Sequence, residues 1–326
     1  MENVIGSFLF TPVIALKGGI IIKYNLISPN VRAYFLLTFT AICWGMNVIF
    51  GQLAVGQASP MAVVTFRWLG VLLLLGIFSR NYLLQDWPIL RRRIPYIFFM
   101  GALGYTCFNS VFYLAAYTTS AINVGILQGS IPVFIVLGSY FFRHTNVSGI
   151  QIFGILATIC GVCVVGSGGN LLNLTELVFK FGDILMIIAC FLYAGYTIGL
   201  ERRPKSSALG IFTLMAVFAF IASLPLLGIE IFLGMFQWPT RDGWVIIGLI
   251  TLFPSFLAQI LFMHGVEIIG PARAGIFANL VPVFGSVLAV FILDETFAIF
   301  QGVALVLVLG GIWLSERAKN KGSISR

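Results

Sequence analysis

The chain alternates between long apolar runs and short polar segments. From residue 33 onward the apolar runs predict ten helices, each close to the roughly 20 residues that cross a bilayer. We expect these spans at 33–56, 60–79, 95–117, 120–142, 147–166, 181–201, 207–231, 243–264, 271–293 and 297–315. The predicted fold class is therefore an all-α integral membrane protein with ten transmembrane helices.

The two ends of the chain depart from this pattern. The apolar stretch at residues 4–22 is interrupted by Pro12, Lys17, Gly18 and Gly19, so a cleaved signal peptide is a poor fit. We expect residues 1–32 to form an interfacial or disordered extension, and an eleventh span is the alternative. Residues 316–326 are expected to form a basic cytoplasmic tail.

The second half of the chain repeats the first at an offset of 150 residues. Residues 123–165 laid over 273–315 without a gap are identical at eight positions, including Gly125/Gly275 and Pro132/Pro282. Glycine and proline inside a helix carry a backbone cost, so sharing them in register indicates a duplication. We expect repeats at 33–166 and 181–315, joined by an extracytoplasmic linker at 167–180. Because each repeat has an odd number of spans, the two repeats must be inverted relative to each other.

The basic residues are distributed unequally between the two sides of the membrane. With the N-terminus inside, 16 of the 19 Lys and Arg residues are cytoplasmic, Lys180 and Arg241 are outside, and Arg67 lies within a span. Positive charge is concentrated in cytoplasmic loops of membrane proteins. This distribution predicts that both termini are cytoplasmic and that the protein is a multi-pass plasma membrane protein, in the inner membrane of a bacterium.

Composition supports the membrane prediction and narrows the chemistry. The chain is 60% hydrophobic and only 9% charged, with a mean hydropathy of +1.04, which excludes an ordinary soluble domain. The net charge of +8 comes from loop residues, so no nucleic-acid partner is expected. The pair Cys160 and Cys163 lies in an apolar helix without a second pair, so we expect no metal and no cofactor.

Several short motifs appear in a fixed order along the predicted spans. They are Cys43-Trp44-Gly45-Met46-Asn47, Ser59-Pro60 with Thr65-Phe66-Arg67, Gly182-Asp183 with Tyr193-Ala194-Gly195-Tyr196, and Leu293-Asp294-Glu295 followed by Gln301. Together with the duplication, this set resembles the EamA-type carriers of the drug/metabolite transporter superfamily over about residues 33–315. In the first repeat Thr145 stands where Glu295 stands in the second. The resemblance implies a basket of helices in which spans 1, 3, 4, 6, 8 and 9 line a cavity, spans 5 and 10 are peripheral, and small metabolites are exported.

Polar and aromatic residues occur within all six of the spans that the resemblance assigns to the cavity. Such residues are expensive in lipid unless they face protein or water. Any one of them can equally be explained as a hydrogen bond between helices, but the set favours a substrate-binding cavity. The candidates are Trp44, Asn47, Tyr105, Asn109, Tyr113, Gln128, Tyr193, Tyr196, Ser255, Gln259 and Asn279.

A second group of residues is predicted to act in gating or structure. Gly125, Pro132, Gly275 and Pro282 are candidate hinges, with simple helix kinks as the alternative. Arg67 lies well inside its span and needs a partner, for which Asp183 is the candidate. We expect these two residues to have a structural or gating role rather than direct contact with substrate.

These features predict a transporter, and not an enzyme. The expected substrates are neutral or zwitterionic amino acids or aromatic, amphiphilic compounds, exported by alternating access through the cavity. One alternative is a non-transporting membrane partner or regulator. Another is an integral-membrane enzyme, which would be expected to carry acids, histidines or a metal cluster at the membrane interface. The expected partners are a small-molecule substrate and the lipid bilayer, and the sequence does not distinguish a monomer from a homodimer.

Overall fold

The computed structural model describes residues 13–17, 20–24, 28–143, 147–169 and 180–323. Ten helices make up most of this part of the chain. They are α1 Pro29–Leu53, α2 Pro60–Phe78, α3 Arg80–Ala116, α4 Ala121–Phe142, α5 Gly149–Gly166, α6 Phe181–Leu200, α7 Ala208–Phe232, α8 Arg241–Ile269, α9 Arg273–Leu293 and α10 Ile299–Ser323. Helices α1–α9 are long and apolar enough to cross a membrane, and α10 has a shorter apolar part, Ile299–Ser315. The predicted all-α membrane fold is confirmed.

Within the predicted N-terminal extension, residues 13–17 and 20–24 are extended, and helix α1 already begins at Pro29. Strand β1, Val13–Lys17, pairs antiparallel with β2, Ile20–Tyr24. These described residues therefore do not form an eleventh helical span. Residues 170–179 of the predicted linker, Thr145, and residues 324–326 of the predicted tail lie outside the described residues.

Helix α3 begins earlier than predicted, because the segment expected to be a loop is helical. Arg80–Leu90 forms a mostly exposed helix, and the 3₁₀ turn Arg91–Arg93 joins it to the apolar part of α3. Its Asp86 carboxylate accepts hydrogen bonds from the backbone N (2.9 Å) and the hydroxyl of Ser207, which precedes α7. The carboxylate caps the start of α7 and ties it to α3.

The helices pack in pairs that are related by exchanging the two repeats. Helix α1 packs on α8 and α9, just as α6 packs on α3 and α4, while α2 packs on α7 and α5 on α10. The α5–α10 pair is very close, since a Cβ added to Gly154 would lie 2.4 Å from the Gly311 carbonyl oxygen. Small residues of this kind let membrane helices approach each other. Two related five-helix repeats therefore build the fold.

The same irregularities recur in both repeats. A π-helical turn spans Ala102–Cys107 in α3 and another spans Thr251–Leu257 in α8, at equivalent positions under the 150-residue offset. Such turns often occur at functional sites. Helix α4 is interrupted at residues 129–130, and α9 contains a 3₁₀ turn at Phe277–Leu280. The predicted prolines Pro132 and Pro282 directly follow these interruptions, so each marks a break in its helix.

Candidate functional site

The structure separates the predicted cavity residues by burial. One group is fully buried: Asn47, Tyr105, Asn109, Tyr113, Tyr196 and Ser255. The other group is half-buried: Trp44, Gln128, Tyr193, Gln259 and Asn279.

The first three helices meet at a buried polar cluster centred on Arg67. Its Nη1 donates hydrogen bonds to Asn109 Oδ1 (2.6 Å), Tyr113 OH (2.7 Å) and, more weakly, Asn47 Oδ1 (3.4 Å). Tyr113 in turn donates to Asn47 Oδ1 at 2.9 Å. Asn109 and Tyr113 are four residues apart and so share one face of α3. We call Asn47, Arg67, Asn109 and Tyr113 the Arg67 cluster.

The predicted pairing of Arg67 with Asp183 is wrong. Asp183 lies in the first turn of α6, where it accepts hydrogen bonds from Thr119 Oγ1 (2.5 Å), Asn123 Nδ2 (3.5 Å) and the Lys180 backbone N (3.2 Å). A carboxylate near the start of a helix is satisfied locally by capping, whereas Arg67 lies two turns into α2. No described carboxylate forms an ion pair with Arg67.

Aromatic rings stand next to the Arg67 cluster. Trp68 stacks on Tyr105, with ring centroids 4.7 Å apart and planes 11° from parallel, and Tyr105 and Tyr196 hydroxyls are 3.3 Å apart. Tyr193 lies 5.4 Å from Tyr196 and 4.9 Å from Phe108, between ring centroids. We call these five residues the aromatic wall. Its residues lie on α2, α3 and α6, so both repeats contribute to the aromatic wall.

Gly104, in the π turn of α3, makes room for this wall. A Cβ added to Gly104 would lie 2.1 Å from the Tyr196 ring, so only glycine allows that ring to approach. Asn109 Nδ2 donates to the Tyr105 carbonyl at 2.5 Å, which anchors the amide to its own helix. In the equivalent turn of α8, Ser255 Oγ donates to the Ile250 carbonyl at 2.5 Å, a carbonyl that Pro254 cannot bond. The Ser255 hydroxyl is therefore used in a hydrogen bond to a backbone carbonyl of its own helix.

The half-buried candidates form a less connected group. Trp44 contacts Phe262, with ring centroids 5.2 Å apart. Gln128 Oε1 is buried without a hydrogen-bond partner among the described residues, and Gln259 makes no hydrogen bond to a described residue. Asn279 lies on the 3₁₀ turn of α9. The structure thus joins Asn47, Tyr105, Asn109, Tyr113, Tyr193 and Tyr196 around Arg67 and Trp68, and leaves Trp44, Gln128 and Gln259 outside that group.

One end of the helix bundle is tightly packed where α1, α4 and α9 meet. A Cβ added to Gly45 would lie 3.0 Å from the Gly285 backbone N, and one added to Gly125 would lie 3.5 Å from the Ser286 backbone N. Added to the equivalent residues Gly195 and Gly275, a Cβ would meet nothing within 4 Å. We call the end where α1 finishes and α4 begins the closed end, and the opposite end the open end.

Two acidic residues hold helix starts at the closed end. Glu295 accepts hydrogen bonds from the backbone N of Ala121 (2.7 Å) and Ile122 (3.0 Å), at the start of α4. Glu230 Oε2 accepts from Ser59 Oγ at 2.6 Å, next to the start of α2, and its Oε1 accepts from the Met61 backbone N at 3.1 Å. Glu230 is not among the residues predicted from the sequence, although an acid within an apolar span indicates a buried polar contact.

The sequence does not repeat the Glu295 contact at the equivalent position of the first repeat. Thr145 stands at the equivalent of Glu295, and Pro271, which has no N–H, stands at the equivalent of Ala121. The carboxylate and one of the two backbone donors of this cap are therefore absent from the equivalent sequence. Gln301 Nε2 also donates to Asn123 Oδ1 at 3.1 Å, adding a second contact specific to the closed end.

Comparisons with known proteins agree with this architecture. The chain is 26% identical over 316 residues to the uncharacterized transporter YetK of Bacillus subtilis strain 168, covering 96% of this chain and 93% of that protein. It is 22% identical over 303 residues to the uncharacterized inner membrane transporter YedA of Escherichia coli K12, covering 91% and 94%. A solved structure titled only "Crystal structure of protein" matches with 17% identity and a TM-score of 0.59, covering 88% of this chain and 97% of that chain, which supports the fold alone.

The family model for the EamA-like transporter family matches the chain twice, at residues 31–167 and 180–317. These two matches cover nearly all of the ten helices. The protein therefore belongs to the EamA-like transporter family, which makes it a multi-pass membrane transporter of the drug/metabolite transporter superfamily.

Proposed function

We propose that this transporter exports small metabolites, namely neutral or zwitterionic amino acids or aromatic, amphiphilic compounds, by alternating access. The observation that carries the proposal is the Arg67 cluster beside the aromatic wall, both inside the membrane-spanning helices. Buried polar groups in a membrane protein are costly and tend to mark a substrate pathway. Rings provide stacking surface, and the amide and hydroxyl groups provide hydrogen bonds that orient a small ligand.

The two ends of the bundle support the alternating-access part of the proposal. Ala121–Gln128 of α4 packs on the Val281–Leu293 part of α9 at the closed end. At the open end, Gly195 and Gly275 have free space around them. In an inverted repeat, exchanging the conformations of the two repeats closes the open end and opens the closed one. The half-buried Trp44, Gln128, Gln259 and Asn279 then line the route between the ends.

We also propose the orientation that the charges predict. Both termini lie in the cytoplasm, the open end faces the cytoplasm, and residues 33–166 and 181–315 act as the two moving repeats. Fusing a cytoplasm-active fluorescent protein or a periplasm-active phosphatase to the C-terminus in a bacterial host tests the orientation. Phosphatase activity without fluorescence would reverse it.

The transport experiment is counterflow in proteoliposomes with a panel of amino acids, purines and aromatic compounds, with and without a pH gradient. We compare the unmodified protein with Asn109→Ala, Gln259→Ala and Trp44→Ala, and use Phe153→Ala as a control. Phe153 is 72% exposed on the peripheral helix α5, so its loss leaves the interior unchanged.

The outcomes separate the candidate functions. Flux that is abolished by the three interior changes and kept by Phe153→Ala supports a carrier whose substrate site lies where we propose. Flux only in the presence of a pH gradient keeps the carrier but adds proton coupling. No flux of any compound by well-folded protein contradicts the proposal and favours the alternative, a membrane partner or regulator.

A further inference from the structure

Arg67 is a buried cation whose charge the described protein leaves unmatched. Its side chain is 5% exposed, and its three hydrogen-bond acceptors, on Asn47, Asn109 and Tyr113, are all neutral. The positive charge is otherwise stabilised by the faces of two aromatic rings. The Arg67 Cζ lies 5.3 Å from the Trp68 ring centroid and 5.9 Å from the Tyr113 ring centroid. A buried cation normally has a carboxylate or other anion beside it.

The unused donors of this guanidinium share one edge. All three hydrogen bonds run from Nη1, and Nε is fully buried without an acceptor among the described residues. Nη2 likewise donates to no described residue. Nε and Nη2 point the same way and form the edge that binds the two oxygens of a carboxylate in parallel hydrogen bonds.

A second unused donor lies beside the first. The Trp68 indole Nε1 is also buried and has no acceptor in the described part of the chain. Trp68 carries the stack on Tyr105 that begins the aromatic wall. An anionic group on Arg67 would thus have an aromatic surface next to it, within the same pair of helices.

We propose that Arg67 binds the carboxylate of the transported substrate through Nε and Nη2, and that the substrate class is therefore ring-bearing carboxylates, including zwitterionic amino acids. This inference rests on the proposed function. It replaces the expectation that Arg67 has only a gating or structural role. Asn47, Asn109 and Tyr113 act as positioning residues, because they hold Nη1 and so direct the opposite edge of the guanidinium.

Arg67 is occluded in this conformation, so the carboxylate must reach it in another state of the cycle. The π turn of α8 covers α2 at this level: Thr251 Oγ1 donates to the Arg67 carbonyl at 3.4 Å, and a Cβ on Gly70 would lie 2.8 Å from Thr251 Cγ2.

The test compares carboxylates with their amides in the same proteoliposome assay. The probes are phenylalanine and phenylalaninamide, tryptophan and tryptophanamide, and indole-3-acetate and indole-3-acetamide. The variants are Arg67→Gln, Arg67→Lys and Asn109→Asp, with Arg80→Gln at the exposed start of α3 as a control for loss of a positive charge. Asn109→Asp keeps the cation but places an internal carboxylate 2.6 Å from Nη1, so it remains informative if Arg67→Gln fails to fold.

We expect unmodified protein and Arg80→Gln to prefer carboxylates over amides by about 10- to 100-fold, the value of a charge-assisted pair of hydrogen bonds. Arg67→Gln and Asn109→Asp abolish that preference, and Arg67→Lys retains part of it. Equal transport of acids and amides by unmodified protein overturns the inference but leaves the transport proposal standing. An equal reduction of both probe types in Asn109→Asp also overturns it. No flux with any probe refutes the proposed function, and the inference with it.

Discussion

Replacing Glu295 by alanine is expected to loosen the closed end of the bundle. The two carboxylate oxygens hold the backbone N of Ala121 and Ile122, and these donors begin a helix that has no other described partner for them. The first N–H groups of a helix have no acceptor inside it. Glu295 is therefore the contact that attaches the turn after α9 to the start of α4.

The structure sets the size of the effect. Each hydrogen bond to a charged group contributes about 1.5–3 kcal/mol, but Glu295 is half-exposed and water can replace part of what is lost. We therefore take about 1.5–3 kcal/mol for the pair together. If this energy favours the closed end, its loss shifts the ratio of closed to open molecules by about 10- to 150-fold. Glu295→Gln keeps one acceptor oxygen and is expected to show about half the free-energy change.

The assay is the labelling rate of a reporter cysteine at Ser286, which is 1% exposed beside Gly125. The five native cysteines are replaced first, and a membrane-impermeant maleimide is added from the side of the closed end. The control is Asp294→Asn, which removes the neighbouring negative charge from the same turn. Asn tolerates the left-handed backbone that Asp294 adopts (φ 53°), so the turn itself is preserved.

We expect Glu295→Ala to label at least ten times faster than unmodified protein, and Asp294→Asn to label at about the unmodified rate, because it keeps both hydrogen bonds of Glu295. Equal rates in Glu295→Ala and Asp294→Asn would refute the reasoning, because charge loss rather than the helix contact would then explain any change.

Three further changes test other contacts by thermal unfolding in detergent. Gly45→Ala forces a Cβ to 3.0 Å from α9 and is expected to cost about 1–3 kcal/mol, whereas the equivalent Gly195→Ala has open space and is expected to be near neutral. Asp183→Ala removes a buried acceptor of three hydrogen bonds. We expect it to lower the free energy of unfolding by about 1–3 kcal/mol, which is measured as a lower Tm. Glu230→Ala removes the carboxylate that accepts from Ser59 Oγ and the Met61 backbone N, with a similar cost, while substitution of the exposed Asp242 by alanine should leave Tm unchanged. Equal Tm values for Gly45→Ala and Gly195→Ala, or for Glu230→Ala and Asp242→Ala, would contradict the contact of Gly45 or of Glu230. An unchanged Tm for Asp183→Ala would contradict the role of that carboxylate.

The sequence by itself determined the spans, the duplication and the paired breaks near Pro132 and Pro282. Each of these is local or periodic. A segment crosses a bilayer because its own residues are apolar for about 20 positions and its own backbone groups bond within the helix. The predicted start of α3 at residue 95 was wrong because a polar segment can also be helical, and here Asp86 attaches that segment to the start of α7.

Only the tertiary structure decided which polar residues meet. Arg67 bonds to residues 20, 42 and 46 positions away, and Glu295 to residues 173 and 174 positions away. A carboxylate and a cation attract each other at any sequence separation, so the pattern made Asp183 a reasonable partner for Arg67. The fold instead turns Asp183 toward its own helix start and leaves one edge of the guanidinium unpaired. Directional hydrogen bonds need atoms within about 3 Å, and only helix packing brings atoms of distant segments that close.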